Sequence, residues 1–206
     1  MQSETVERYL ESHAGASRVQ LVGPLASPQT ALAEPVIFID GGAGLRVAGE
    51  GVAVGDGDSF DGHLDHRLDP DKDFSDLAFA LGCLGPRFRE IELVGFLGGR
   101  RDHELLGFGE VFHFLDRRDT PARVRFDREV EAFSAGRWRF EARGTFSLAL
   151  FAPCRVILGG DCRYPIAPDT RVTPMSSLGL SNVGHGHVEL EADGPVFIFH
   201  NVPEAT

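Results

Sequence analysis

Hydrophobic positions follow two different rules along the chain. Up to about Asp116, short and nearly continuous apolar runs alternate with helical patterns. The runs are "RVQLVG" (Arg18–Gly23), "PVIFID" (Pro35–Asp40), "GVAVGD" (Gly51–Asp56) and "EIELVGF" (Glu90–Phe96). Runs of this kind suit strands buried on both faces, as in a parallel sheet. Between them, "SPQTALAE" (Ser27–Glu34) and "SDLAFALGCL" (Ser75–Leu84) predict helices, with Ser27 and Ser75 as N-caps and Pro28 at a first helical position. A third helix is expected over His103–Phe114. This alternation implies a doubly wound, mostly parallel α/β layer, with a ligand crevice at the carboxyl ends of its strands.

After "LDRRDTP" (Leu115–Pro121) the period changes to two. "ARVRFDREVEAFSAGRWRFEARGTFSLALFAP" alternates apolar and polar positions, with "SAG" (Ser134–Gly136) as an expected hairpin turn. "HVELEADGPVFIFHN" repeats the pattern around Asp193-Gly194. No helix is expected beyond Pro121. The chain therefore divides into an α/β part, 1–118, and an all-β part, 119–206.

Composition narrows the functional classes. A net charge of −11 argues against nucleic acid, whose binding depends on neutralising phosphates with Lys and Arg. The apolar runs are too short to span a bilayer, and the acidic stretch Met1–His13 lacks the basic start and apolar core of a signal peptide. Three cysteines with no CxxC spacing fit neither a disulfide framework nor a zinc knuckle. The expectation is a reduced, cytoplasmic protein.

Candidate chemistry concentrates in "VGDGDSFDGHLDHRLDPDKDFSD" (Val54–Asp76), which holds eight aspartates, no glutamate and the chain's single lysine, Lys72. Asp61, Asp65 and Asp69 read as turn residues. Asp56 and Asp58 directly follow a buried strand, at the crevice rim. Two carboxylates about 4 Å apart repel by roughly 1 kcal/mol in water and about 4 kcal/mol at an effective dielectric of 20. A cation is the missing partner. Counted from Asp56, Phe60, Asp61 and Arg67 stand where an EF-hand loop needs an oxygen ligand, Gly and Glu, which excludes that calcium site. Magnesium needs fewer protein carboxylates and shares its shell with water and phosphate. No GxxxxGK[ST] or GxGxxG is present, so a P-loop or dinucleotide fold has little support. "GFLGGRRDH" (Gly95–His103) adds glycines that admit close backbone approach and arginines suited to phosphate oxygens.

Four segments in order resemble the thiamine pyrophosphokinases: "DGGAGL" (Asp40–Leu45), "GDGDS" (Gly55–Ser59), "DKDFSDLAFAL" (Asp71–Leu81) and "LGGRRDH" (Leu97–His103). "CRYPI" (Cys162–Ile166) and "SSLGLSN" (Ser176–Asn182) are similar to that family's C-terminal signature. The resemblance implies an α/β catalytic domain followed by an antiparallel β-sandwich. It also implies a homodimer with thiamine between subunits, and transfer of a diphosphoryl group from ATP to thiamine with Mg²⁺, releasing AMP. It implies Asp56, Asp58 and Asp76 as metal ligands and Asp58, Asp76 and Asp102 as catalytic residues. Nucleotide contacts would come from Asp40, Gly41, Gly42, Ser59, Lys72, Asp73, Arg100 and His103. Tyr164, Ser176, Ser177, Ser181 and Asn182 would line the thiamine pocket.

The chain departs from the family pattern at Gly44, Gly57 and Gly107, and an expected arginine is displaced to Arg46. Trp138 reads as a packing residue of the β half. Two alternatives stand beside the leading one: a diphosphokinase acting on a pterin-type alcohol, and a catalytically inactive thiamine- or nucleotide-binding module.

Overall fold

The computed structural model describes residues 4–47 and 49–200. Asn201, the expected end of the last strand, lies outside the described residues. The chain forms two compact units, Met1–Phe114 and Leu115–Thr206.

The first unit opens with α1 (Glu4–Ser12), whose Val6 and Leu10 are buried. It continues with β1 (Arg18–Val22), β2 (Val36–Ile39), β3 (Val52–Gly55), β4 (His66–Arg67), α2 (Asp76–Gly82), β5 (Glu90–Val94) and α3 (Arg101–Asp116). The five strands lie in the order β5-β1-β2-β3-β4, and every pairing among them is parallel. Strands β2 and β3 are buried throughout and β1 after its first residue, which explains their unbroken apolar runs. Ser75 caps α2 as expected, its hydroxyl accepting from the Ala78 N–H. The strand order reverses at β1: β2 to β4 extend to one side and β5 returns on the other.

One expected helix is absent. Residues 27–34 form turns and irregular backbone, not a helix. The segment carries a single leucine, too little apolar surface to anchor a short helix. Pro35 also disfavours helical backbone at Glu34.

The second unit contains β6 (Arg123–Phe126), β7 (Val130–Phe133), β8 (Gly136–Ala149), β9 (Cys154–Cys162), β10 (Arg171–Val172), β11 (Asn182–Ala192) and β12 (Val196–His200). Their order is β10-β9-β11-β8-β12-β7-β6, antiparallel throughout. The alternating positions of β8 and β11 bury Phe140, Phe146, Val188 and Leu190 in one apolar core. Trp138 packs against it, its ring 5.3 Å from that of Phe133 and its Nε1–H donating to the Ser134 carbonyl (2.8 Å).

"SAG" does not close a hairpin. It joins β7 to β8, but β12 lies between them and pairs with both. Likewise Asp193-Gly194 joins β11 to β12 while β8 separates them. Period-two patterning specifies which residues face inward but not which strands are neighbours, because any antiparallel partner satisfies the same alternation. Among the described residues no helix is long and apolar enough to cross a membrane, and Cys83, Cys154 and Cys162 are free thiols.

Candidate active site

The carboxyl ends of β1, β2, β3 and β5, together with the starts of α2 and α3, border a cleft of about 730 Å³ in the first unit. Glycine makes the close packing there possible. A Cβ on Gly42 would lie 2.2 Å from the Val22 carbonyl oxygen, and one on Gly95 (φ +74°) would lie 2.0 Å from the Ala26 nitrogen. Both positions exclude a side chain.

Three carboxylates converge in this cleft. Asp40 begins a 3₁₀ turn (Asp40–Leu45) directly after β2, Asp56 follows β3, and Asp76 opens α2. One oxygen from each lies within 4.8 Å of the other two. Asp40, Asp56 and Asp76 are therefore the residues that would hold a divalent ion here. Asp40 holds a left-handed backbone (φ +51°), a conformation that aspartate tolerates better than most residues. Its Oδ1 is buried and has no hydrogen-bond partner.

Lys72 enters the same cluster. Its Nζ lies 2.6 Å from Asp56 Oδ2 and 3.0 Å from Asp76 Oδ1, with 8% of the side chain exposed. Burial works against the ammonium charge, but the two carboxylates more than offset this and hold its pKa above the ordinary lysine value. The hydrogen bond from Lys72 lowers the Asp56 pKa. Asp40 and Asp76 are both raised, chiefly by burial and further by neighbouring carboxylates. One ammonium does not balance the cluster. An orphaned oxygen and a set of hard carboxylate donors fit a divalent cation of the magnesium type.

Asp58, expected as a ligand, lines the cleft outside this triad. Its N–H donates to Asp56 Oδ1 (3.1 Å) and its Oδ1 accepts from Ser59 Oγ (2.7 Å). Gly57, between the two aspartates, is a position that suits glycine. Its φ is +84°, and Arg67 Nη2 sits 2.2 Å from where a Cβ would be. Asp73, Arg100 and His103 line the cleft, whereas Gly41, Gly42 and Ser59 do not. The first two are spent on packing against Pro24 and Val22. Asp102 is not among the residues that line the cleft; it is paired with Arg100 (2.6 Å), which lowers its pKa to about 2. Arg46 is engaged by Asp65 and by the carbonyls of Glu50 and Gly51.

In the second unit the expected thiamine-contacting residues differ in their surroundings. Asn182 is buried, and its amide is taken up by the backbone. Its Oδ1 accepts from the N–H groups of Tyr164 (3.0 Å) and Val183 (2.8 Å), and its Nδ2 donates to the Tyr164 carbonyl (2.8 Å). It holds Tyr164, which is exposed. Ser176 Oγ is buried with no hydrogen-bond partner, Ser177 is exposed, and Ser181 adopts φ +55° while its N–H donates to Ser147 Oγ. The apolar wall of the cleft, with Leu25, Phe74, Phe96 and Leu106, escaped sequence reading. These positions belong to loops and an irregular helix face with no periodic signal.

No protein-family model and no curated protein matches this chain. Among solved structures it is similar to thiamine pyrophosphokinase from Bacillus subtilis, at 22% identity and a TM-score of 0.65, over 90% of this chain and 100% of that one. Thiamin pyrophosphokinase from Geobacillus thermodenitrificans matches at 20% identity and TM-score 0.66, over 92% and 100%. The enzyme from Candida albicans matches at 12% and 0.66, over 96% and 93%. At these identities the likeness establishes a shared fold.

Proposed function

We propose that this protein transfers a diphosphoryl group from ATP to the hydroxyl of thiamine, giving thiamine diphosphate and AMP. The observation that carries the reading is the convergence of Asp40, Asp56 and Asp76 around Lys72, in a strand-end cleft. The shared fold with thiamine pyrophosphokinases supports it. With it goes the finer architecture: a doubly wound nucleotide-binding layer and a β-sandwich that receives thiamine, working as a cytoplasmic homodimer with thiamine between subunits.

Asp40, Asp56 and Asp76 would hold Mg²⁺. When bound, that ion would neutralise charge developing on the polyphosphate. Lys72 and Arg100 would take phosphate oxygens, with His103 and Asp73 at the cleft wall beside them. Attack by the thiamine hydroxyl on the β-phosphorus releases AMP, and Asp58 would accept the hydroxyl proton. Asp102 would serve chiefly to orient Arg100, to which it is already paired. Exposed Tyr164, with Ser176, Ser177 and Ser181, would contact thiamine, and Asn182 would fix the Tyr164 backbone.

The test is incubation with ATP, Mg²⁺ and thiamine, followed by identification of both products. AMP together with thiamine diphosphate supports the reading. ADP would indicate single phosphoryl transfer, AMP formed only with a pterin alcohol would redirect the substrate, and no turnover would leave a binding module.

A further inference from the structure

We infer that Lys72 is an internal counter-ion occupying the divalent-cation seat, and that metal and nucleotide enter by exchanging it from carboxylate to phosphate. This rests on the metal seat proposed above. The ammonium contacts two of the three converging carboxylates, Asp56 and Asp76, at 2.6 and 3.0 Å. Three carboxylates and one ammonium leave a formal charge of −2, so the cluster is partly neutralised but not satisfied. A divalent ion seated on the same oxygens would stand within a few ångströms of Nζ, and the two positive charges would repel.

The lysine can leave. Its side chain springs from the segment just before α2, where the backbone N–H is fixed to the Asp69 carbonyl (3.2 Å), and its four-carbon stem has the rotatable bonds to carry the ammonium from one partner to another. Lys72 lines the cleft, so a polyphosphate entering there offers the displaced ammonium new oxygens. Metal alone must evict the lysine without compensation. Metal arriving with a polyphosphate evicts it onto a partner. The same side chain thus weakens binding of free metal and strengthens binding of nucleotide.

The experiment measures Mn²⁺ binding, from the electron paramagnetic resonance signal of the free ion with no nucleotide present. It compares wild type with Lys72→Met, Lys72→Arg and Asp56→Asn, each checked for fold by circular dichroism. Lys72→Gln replaces the Met variant should that one not fold. Lys72→Met is expected to bind Mn²⁺ about tenfold more tightly than wild type, and Lys72→Arg no more tightly. A fluorescent ATP analogue at saturating Mg²⁺ is expected to bind Lys72→Met about tenfold more weakly. Equal or weaker Mn²⁺ binding by Lys72→Met overturns the exchange, as does unchanged nucleotide affinity. Asp56→Asn separates the two layers. If it binds Mn²⁺ as well as wild type, the metal seat itself is wrong and the exchange falls with it. If it loses Mn²⁺ while Lys72→Met shows no gain, the exchange alone is overturned.

Discussion

In the first unit three carboxylates, Asp40, Asp56 and Asp76, share one ammonium. In the second a single carboxylate, Glu131, is faced by Arg123, by Arg125 (3.9 Å) and by His200 (3.8 Å). The side chains of Asp56, Asp76 and Glu131 are about equally hidden, at 14%, 13% and 15% exposed, so burial does not distinguish the clusters. Charge balance does. Burial pushes the Glu131 carboxyl up, but His200 and Arg123 more than offset it and leave its pKa below the ordinary value. Burial also pushes Asp40 and Asp76 up, and there the neighbours include further carboxylates, so both stay raised. Around Glu131 the cations outnumber the carboxylate, so its charge is fully answered from within the protein. The aspartate cluster is incomplete, and its deficit is what a ligand can use.

The sharpest way to break this contrast is to neutralise one member of each cluster. Asp56→Asn is expected to lower kcat/KM for thiamine diphosphate formation by about 10³-fold, the scale of losing a main electrostatic stabiliser, with no loss of melting temperature. Activity near wild type would remove Asp56 from the site. Glu131→Gln is expected to do the reverse. Leaving Arg123 and Arg125 partly buried without their carboxylate costs about 2 kcal/mol of unfolding free energy, read from denaturant titration, while turnover per folded molecule holds. A variant that melts like wild type would show that the Glu131 cluster does not support the fold.

Added Mg²⁺ provides a third, smaller effect. An ion that binds the native state alone stabilises it by about 1.4 kcal/mol at a tenfold excess over Kd. The melting temperature should rise for wild type and Glu131→Gln and stay fixed for Asp56→Asn. A rise in all three would place the ion elsewhere.

The smallest effect is in the pH profile, where the clusters act with opposite sign. Glu131 has a folded pKa below its usual 4.5, so its contribution is present above that value and lost as pH falls through the folded pKa. Asp40 and Asp76 have folded pKa values above 3.8, so acidification through the folded values protonates them and relieves the native state. Melting temperature followed from pH 7 to pH 3 should lose its acid-side fall in Glu131→Gln and lose its earlier gain in Asp40→Asn. Identical profiles for the two variants would contradict the assignment.

Much of this contrast was legible in the chain. Apolar runs ending on Asp located β2 and β3 and put Asp40 and Asp56 at strand ends, and Ser75 correctly announced α2 with Asp76 behind it. The sequence reading stopped short on partnership within the cluster. The resemblance grouped Asp58 with Asp56 and Asp76, whereas the carboxylates that converge are Asp40, Asp56 and Asp76, with Asp40 coming from the adjacent parallel strand. Adjacent strand ends lie side by side in space, but sequence spacing does not reveal which carboxylates turn inward. The "SAG" turn failed for a related reason. It depends on which strand lies next to which, and period-two patterning is silent on that. The Glu131 cluster carried no local signal, since its members are drawn from β6, β7 and β12.

The two sides of the cation seat differ in mobility. The exchange proposed above moves Lys72, whereas Asp40 stands in closely packed backbone. Gly42 behind it is pressed onto the Val22 carbonyl, Gly55 lies so close that a Cβ there would come within 3.1 Å of the Asp40 Cα, and the backbone between is already in the left-handed region. A carboxylate fixed that firmly has no route out to bulk water when its charge becomes uncomfortable. Under the proposed exchange, whatever answers that charge must travel to it, and the rearrangement falls to the lysine and the arriving ligands.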